Sequence, residues 1–184
     1  MKTIILDNVL SQKELFFVYS QLLESNGWNV NGAATTDLFH MKSPMLLVKN
    51  EDIIYNNTLF FYGQSIIYRI KEILKDKHIG IPPHLKRMWF NITYSGKKTQ
   101  HELHLDFENN NYKSILIFMT PIWQDNWKGS FYVDGKEFKY KPGSVVIYDS
   151  SEFHTGESPE FETNNWLRLT CNIVVKNNYE RKIT

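Results

Sequence analysis

The apolar positions of this chain change period about halfway along. Leu15, Val18, Tyr19, Leu22 and Leu23 recur three and four residues apart, the spacing that puts side chains on one face of an α-helix. Ser11 precedes them, with Glu14 three residues on, a capping-box spacing in which each side chain can satisfy the other's backbone N–H. The pattern predicts an amphipathic helix over 10–23 that ends near Gly27. A second stripe runs through Phe60, Phe61, Ile66, Ile70, Ile73 and Leu74 and predicts a helix over 57–77. Lys71, Lys75 and Lys77 lie toward its C-terminal end, where cations suit the helix dipole, and Ile81-Pro82-Pro83 stops it. Residues 28–49 follow neither period. Gly32, Ala33, Ala34 and two threonines before Pro44 read as extended or looped chain, and 31–49 suits a lid over a site.

After Pro83 the texture is that of strands. Residues 85–94 are rich in β-branched and aromatic side chains, 103–107 alternate, and 114–121 form the most apolar stretch, a central strand. Asp134-Gly135 sits between 131–133 and 137–140, a strong hairpin signal because both residues tolerate positive φ. Strands over 144–148 and 166–175 complete the series. Short strands joined by tight turns, with no helices between them, predict an antiparallel sandwich or barrel. The expected fold is therefore mainly β, with two N-terminal helices covering one face.

Length and composition narrow the reading. The 184 residues fit one domain, with 1–84 as mainly helical support and possible lid and 85–176 as the β core. Lys and Arg total 21 against 20 Asp and Glu, a net charge of +1, which gives no electrostatic case for a dedicated nucleic-acid binder. The single Cys171 forbids an intramolecular disulfide and points to a reducing compartment. No apolar run reaches the roughly 20 residues that span a bilayer, and the apolar stretch of the opening MKTIILD is too short for a secretory signal. These features lead us to expect a soluble, cytoplasmic protein; oligomeric state is not readable.

The candidate chemistry lies in the β half. His104 and Asp106 are two apart, so on a strand both point to the same side. His154 follows the strand over 144–148, in the loop 149–156, where a barrel can return it to the first pair. Two imidazoles and one carboxylate on one face of an octahedron leave three positions open, the ligand set of non-haem Fe(II) oxygenases. Fe²⁺ with one aspartate leaves a single positive charge; a dicarboxylate such as 2-oxoglutarate adds two negative charges, and one arginine restores neutrality. Arg168, in a strand-like stretch, is the candidate. Its guanidinium can take a carboxylate in bidentate fashion, and Thr170, on the same side, can add a hydroxyl. Trp123 and Trp127 read either as groove lining or as core.

This order of residues, with the stretch 114–159, resembles the catalytic half of Fe(II)/2-oxoglutarate-dependent dioxygenases of the prolyl-4-hydroxylase-like group, especially compact forms carried by bacteriophages. The resemblance covers roughly 85–175 and implies a double-stranded β-helix, or jelly roll. It implies metal ligation by His104, Asp106 and His154 and cosubstrate binding by Arg168 and Thr170. Tyr94, on the strand before the H-x-D motif, would bond the cosubstrate, a role Asn91 fits as well. Gly129 takes the place of the family's glycine after a tryptophan-containing loop. The implied cofactors are Fe(II), 2-oxoglutarate and O₂, with ascorbate in support, and the implied reaction hydroxylates a C–H bond of a peptidyl proline or other peptidyl or small substrate, releasing succinate and CO₂. Arginine at 168, where collagen-type prolyl hydroxylases carry lysine, leaves the substrate open. Lys128-Gly129-Ser130, where phage relatives often carry Gly-Gly-Glu, bears on the shape of that loop and touches no metal ligand. A cupin-like metal enzyme and a jelly-roll binding module without turnover are the alternatives.

Overall fold

The computed structural model describes residues 3–24, 29–30, 40–42, 46–49, 52–53, 57–75, 84–94, 102–108, 111–160 and 166–176. Among them are two α-helices, α1 (Gln12–Glu24) and α2 (Asn57–Lys75). The strands before and between the helices are β1 (Ile4–Leu6), β2 (Asn29–Val30), β3 (His40–Lys42), β4 (Leu46–Lys49) and β5 (Asp52–Ile53). Then follow β6 (His84–Thr93), β7 (Tyr112–Phe118), β8 (Phe131–Val133), β9 (Lys136–Phe138), β10 (Val145–Asp149), β11 (His154–Gly156) and β12 (Arg168–Lys176). The long sheet runs β1-β10-β7-β12-β6-β3-β2, with β4 also paired to β6 and β5 to β4. A small sheet, β11-β8-β9, makes the second wall. The named strand pairs are antiparallel.

Alternation on the long sheet builds two cores. Met88, Phe90 and Ile92 of β6, Ile115 and Ile117 of β7, and Leu169, Cys171 and Ile173 of β12 are buried with Leu15, Val18, Ile66 and Ile70 from the helices. The residues between them, Leu116, Phe118, Val146 and Tyr148, pack with Phe131, Val133 and Tyr140 of the small-sheet side. The helices thus cover the outer face of the long sheet, and the inner face looks across to the small sheet. Cys171 lies on the helix side, fully buried, and burial raises its thiol pKa; it is packing material.

Several expectations change. Residues 103–107 form no strand, only an isolated bridge at His104. The N–H groups of Asp106 and Phe107 both donate to the Ser150 carbonyl at 3.0 Å, so the chain turns there instead of laddering. His154 opens a short strand rather than lying in a loop. The described parts of 28–49 are strands that extend the sheet beyond β6; most of the expected lid lies outside the described residues. The Asp134-Gly135 turn has φ of 51° and 70°, as the hairpin signal requires.

Candidate active site

The inner face takes its polar residues from the same alternation. Arg168 pairs in register with Thr93, Thr170 with Asn91 and Phe118, and Tyr148 with Ser114. Directly opposed residues point to the same side of a sheet. Against this wall stand His104 and His154.

The two histidines exchange backbone hydrogen bonds, His104 N–H to the His154 carbonyl at 3.1 Å and the reverse at 3.0 Å. Their ring centroids are 4.3 Å apart. Each Nδ1 lies 3.0 Å from a carbonyl oxygen two residues back, Glu102 for His104 and Glu152 for His154. A carbonyl can only accept, so it selects the tautomer with the proton on Nδ1 and leaves Nε2 with its lone pair, the orientation that metal-binding histidines adopt. His154 is buried, with Tyr148 and Phe131 around its ring. Burial lowers its pKa against the pull of Asp106, which favours the neutral ring.

Asp106 is held from several sides. Arg87 Nη2 donates to Oδ1 at 2.7 Å and to the Asp106 carbonyl at 3.1 Å. Ser114 donates to Oδ2 at 2.5 Å and Tyr148 at 3.3 Å. His154 Nε2 is 3.8 Å from the same Oδ2. The Arg87 guanidinium lies over the rings of Trp89 at 4.8 Å and Phe107 at 4.6 Å. Arg87 and Ser114 escape a motif search. Their only sequence signal is a charged or hydroxyl side chain within a strand run, which needs a polar partner if it is buried.

The donor set suits a two-histidine, one-carboxylate centre, and Oδ2 is the carboxylate oxygen nearest a histidine. The three side chains are neighbours but not a closed cluster: among the described residues no three His, Cys, Asp or Glu groups are gathered as a metal-holding set.

Arg168 is 4% exposed. Its Nε–H donates to the Gly129 carbonyl at 2.8 Å and Nη2 to that of Ser130 at 3.5 Å, and the guanidinium lies 5.6 Å from the Tyr140 ring centre. Among the described residues no carboxylate forms an ion pair with it, and burial depresses its pKa to about 10. Glu157 acts on Arg168 electrostatically without forming an ion pair, and a buried guanidinium whose bonds among the described residues go to carbonyls still has charge to be balanced. Gly129 makes the approach possible: at φ +80°, a Cβ there would stand 2.6 Å from Trp123 Cζ2 and 3.2 Å from Arg168 Cδ. Thr170 is buried two residues on.

Tyr94 is not brought to this face. It packs against the helix-side core and adjoins Tyr19 electrostatically. Alternation along β6 gives Asn91 and Thr93 the inward positions instead. Trp123 stacks on Tyr140 at 3.9 Å between ring centres and donates its indole N–H to the Lys128 carbonyl at 3.0 Å, so it braces the wall beside Arg168.

No protein-family model matches the sequence, and no curated protein does. Solved structures match across nearly the whole chain. An oxidoreductase of the 2OG-Fe(II) oxygenase family from Burkholderia pseudomallei aligns with a TM-score of 0.66 at 14% identity, covering 95% of this chain and 84% of its own. A Pseudomonas putida prolyl-4-hydroxylase aligns with a TM-score of 0.58 at 14% identity, covering 95% and 92%. HygX from Streptomyces hygroscopicus, solved with nickel and 2-oxoglutarate bound, aligns with a TM-score of 0.56 at 11% identity, covering 96% and 83%. At these identities the likeness establishes a shared fold, the jelly roll with helical support.

Proposed function

We propose that this chain is an Fe(II)- and 2-oxoglutarate-dependent oxygenase that hydroxylates a C–H bond of a peptidyl or small-molecule substrate, with succinate and CO₂ as co-products. The observation that carries this reading is the buried Arg168, with no carboxylate ion-paired to it among the described residues, on the inner wall faced by two histidines whose Nε2 atoms are left with a lone pair. In this role His104, His154 and Asp106 hold the metal, Arg168 pairs with the distal carboxylate of the cosubstrate, and Thr170 adds a hydroxyl. Ferrous iron, when bound, supplies the O₂ chemistry. The protein's own work is positioning and exclusion of water. The Glu102 and Glu152 carbonyls fix the imidazole tautomers, Arg87 steadies the carboxylate, and Phe118, Phe131 and Tyr148 keep the inner space dry.

A peptidyl proline is the first substrate class to test, and free amino acids and small metabolites follow. One observation favours a second reading, a jelly-roll ligand-binding module without turnover: Asp106 is paired with Arg87 rather than gathered with both histidines. A succinate-release screen separates the two. Protein, Fe(II), 2-oxoglutarate, O₂ and ascorbate are incubated with prolyl peptides, amino acids or nucleosides, with His104→Ala as control. Succinate formed by the wild type and lost in the variant supports the oxygenase; none with any substrate, and none uncoupled, supports the binding module.

A further inference from the structure

Ser158 carries a buried hydroxyl with no hydrogen-bond partner among the described residues, on a residue only 1% exposed. Buried polar groups are nearly always paired, so an exception calls for a ligand or another explanation. The strand register indicates where this hydroxyl points. β11 and β8 pair His154 with Val133, Thr155 with Tyr132 and Gly156 with Phe131. The pairing continues beyond the named strands: Glu157 N–H donates to the Ser130 carbonyl at 2.8 Å, and Lys128 bridges Pro159. Ser158 therefore falls opposite Gly129. By alternation it shares the inward side with His154, and from Gly129 a Cβ would meet Arg168 Cδ at 3.2 Å and Nε at 3.3 Å. The register thus sets Ser158 opposite the position whose Cβ would abut the Arg168 side chain. The polar neighbours there are occupied: Ser130 Oγ donates to Glu137 at 2.7 Å, and Glu157 Oε2 accepts from the Ser130 N–H at 3.0 Å.

We propose that Ser158 is a binding residue for the distal carboxylate of a 2-oxo dicarboxylic acid, donating its hydroxyl to the anion that Arg168 pairs with. The proposal rests on the function proposed above and adds a donor to it. Arg168 supplies charge, while Ser158 on the facing strand fixes where that carboxylate stops, and so the length of oxo acid accepted.

The test is anaerobic calorimetric titration of Fe(II)-loaded wild type, Ser158→Ala and Arg168→Ala with 2-oxoglutarate, and with 2-oxobutyrate, which keeps the 2-oxo acid head but lacks the distal carboxylate. The expected result for Ser158→Ala is a loss of about tenfold in 2-oxoglutarate affinity, the scale of one hydrogen bond to a charged group. Its 2-oxobutyrate affinity and melting temperature stay at wild-type values, because the hydroxyl bonds nothing among the described residues. Unchanged 2-oxoglutarate affinity in Ser158→Ala, beside a wild type that binds it and an Arg168→Ala that does not, overturns the role of Ser158 and leaves the proposed function standing. Equal losses for both oxo acids, or a lowered melting temperature, assign Ser158 to structure and also overturn the role. A wild type that binds neither oxo acid overturns the proposed function and the role of Ser158 with it.

Discussion

At Asp106, Arg87 takes one carboxylate oxygen while Ser114 and Tyr148 reach the other. Arg87→Lys keeps the positive charge and loses the guanidinium's fixed reach to both Oδ1 and the backbone carbonyl. We expect divalent-metal affinity to fall about tenfold or more, as for other groups that orient a ligand, with the melting temperature little changed; manganese titration followed by electron paramagnetic resonance measures it. Gly129→Ala should be the most damaging single methyl group at the Arg168 wall. Its φ of +80° strains any L-residue, and the added carbon would press on Trp123 and Arg168. A destabilisation of about 1–3 kcal/mol follows from the backbone alone, read by urea denaturation, with loss of 2-oxoglutarate binding. The residues with chemistry in their spacing, His104, Asp106, His154 and Arg168, were legible in the sequence as candidates. Arg87 and Ser158 were not, because their significance lies in which strand faces which.

Among the elements, α1 was the clearest in sequence and is held as its cap predicts. Glu14 accepts from Ser11 N–H at 2.8 Å and Ser11 Oγ at 2.7 Å, and its other oxygen pairs with Arg69 of α2 at 2.7 Å. Arg69 is the main cause, with the Ser11 bonds adding, of a carboxyl pKa lowered from 4.5 to about 2. A lowered folded-state pKa gives stability that is present above the unfolded value and lost as pH falls toward the folded one. Glu14→Gln should therefore cost about 0.5–1 kcal/mol at neutral pH, a modest figure because the pair is solvent-screened. That cost should shrink between about pH 4.5 and pH 2, as denaturation midpoints of both proteins across that range would show. Shorter elements were less legible. β1 is three residues of Ile4–Leu6 laid against β10, too short for a period to emerge. The turn at 103–107 alternates like a strand but sends two N–H groups to one carbonyl, a choice set by distant Ser150.

Across the whole molecule, the helix-side core and the inner face are separate packings on one sheet. His104 adds little to the first, so His104→Ala should melt like the wild type in thermal denaturation while losing metal affinity. A net charge of +1 hid a local feature now visible, a buried Arg168 that forms no ion pair among the described residues. None of the helices among the described residues is long and apolar enough to cross a membrane. The central claim joins a metal held by His104, Asp106 and His154 to an oxo acid paired with Arg168. Its most direct test is anaerobic visible absorption of the Fe(II)-loaded protein titrated with 2-oxoglutarate. The account predicts a weak charge-transfer band that saturates with the cosubstrate, is absent in His154→Ala, and in Arg168→Ala needs far more 2-oxoglutarate to appear. No band in the wild type, or a band indifferent to both substitutions, would contradict it.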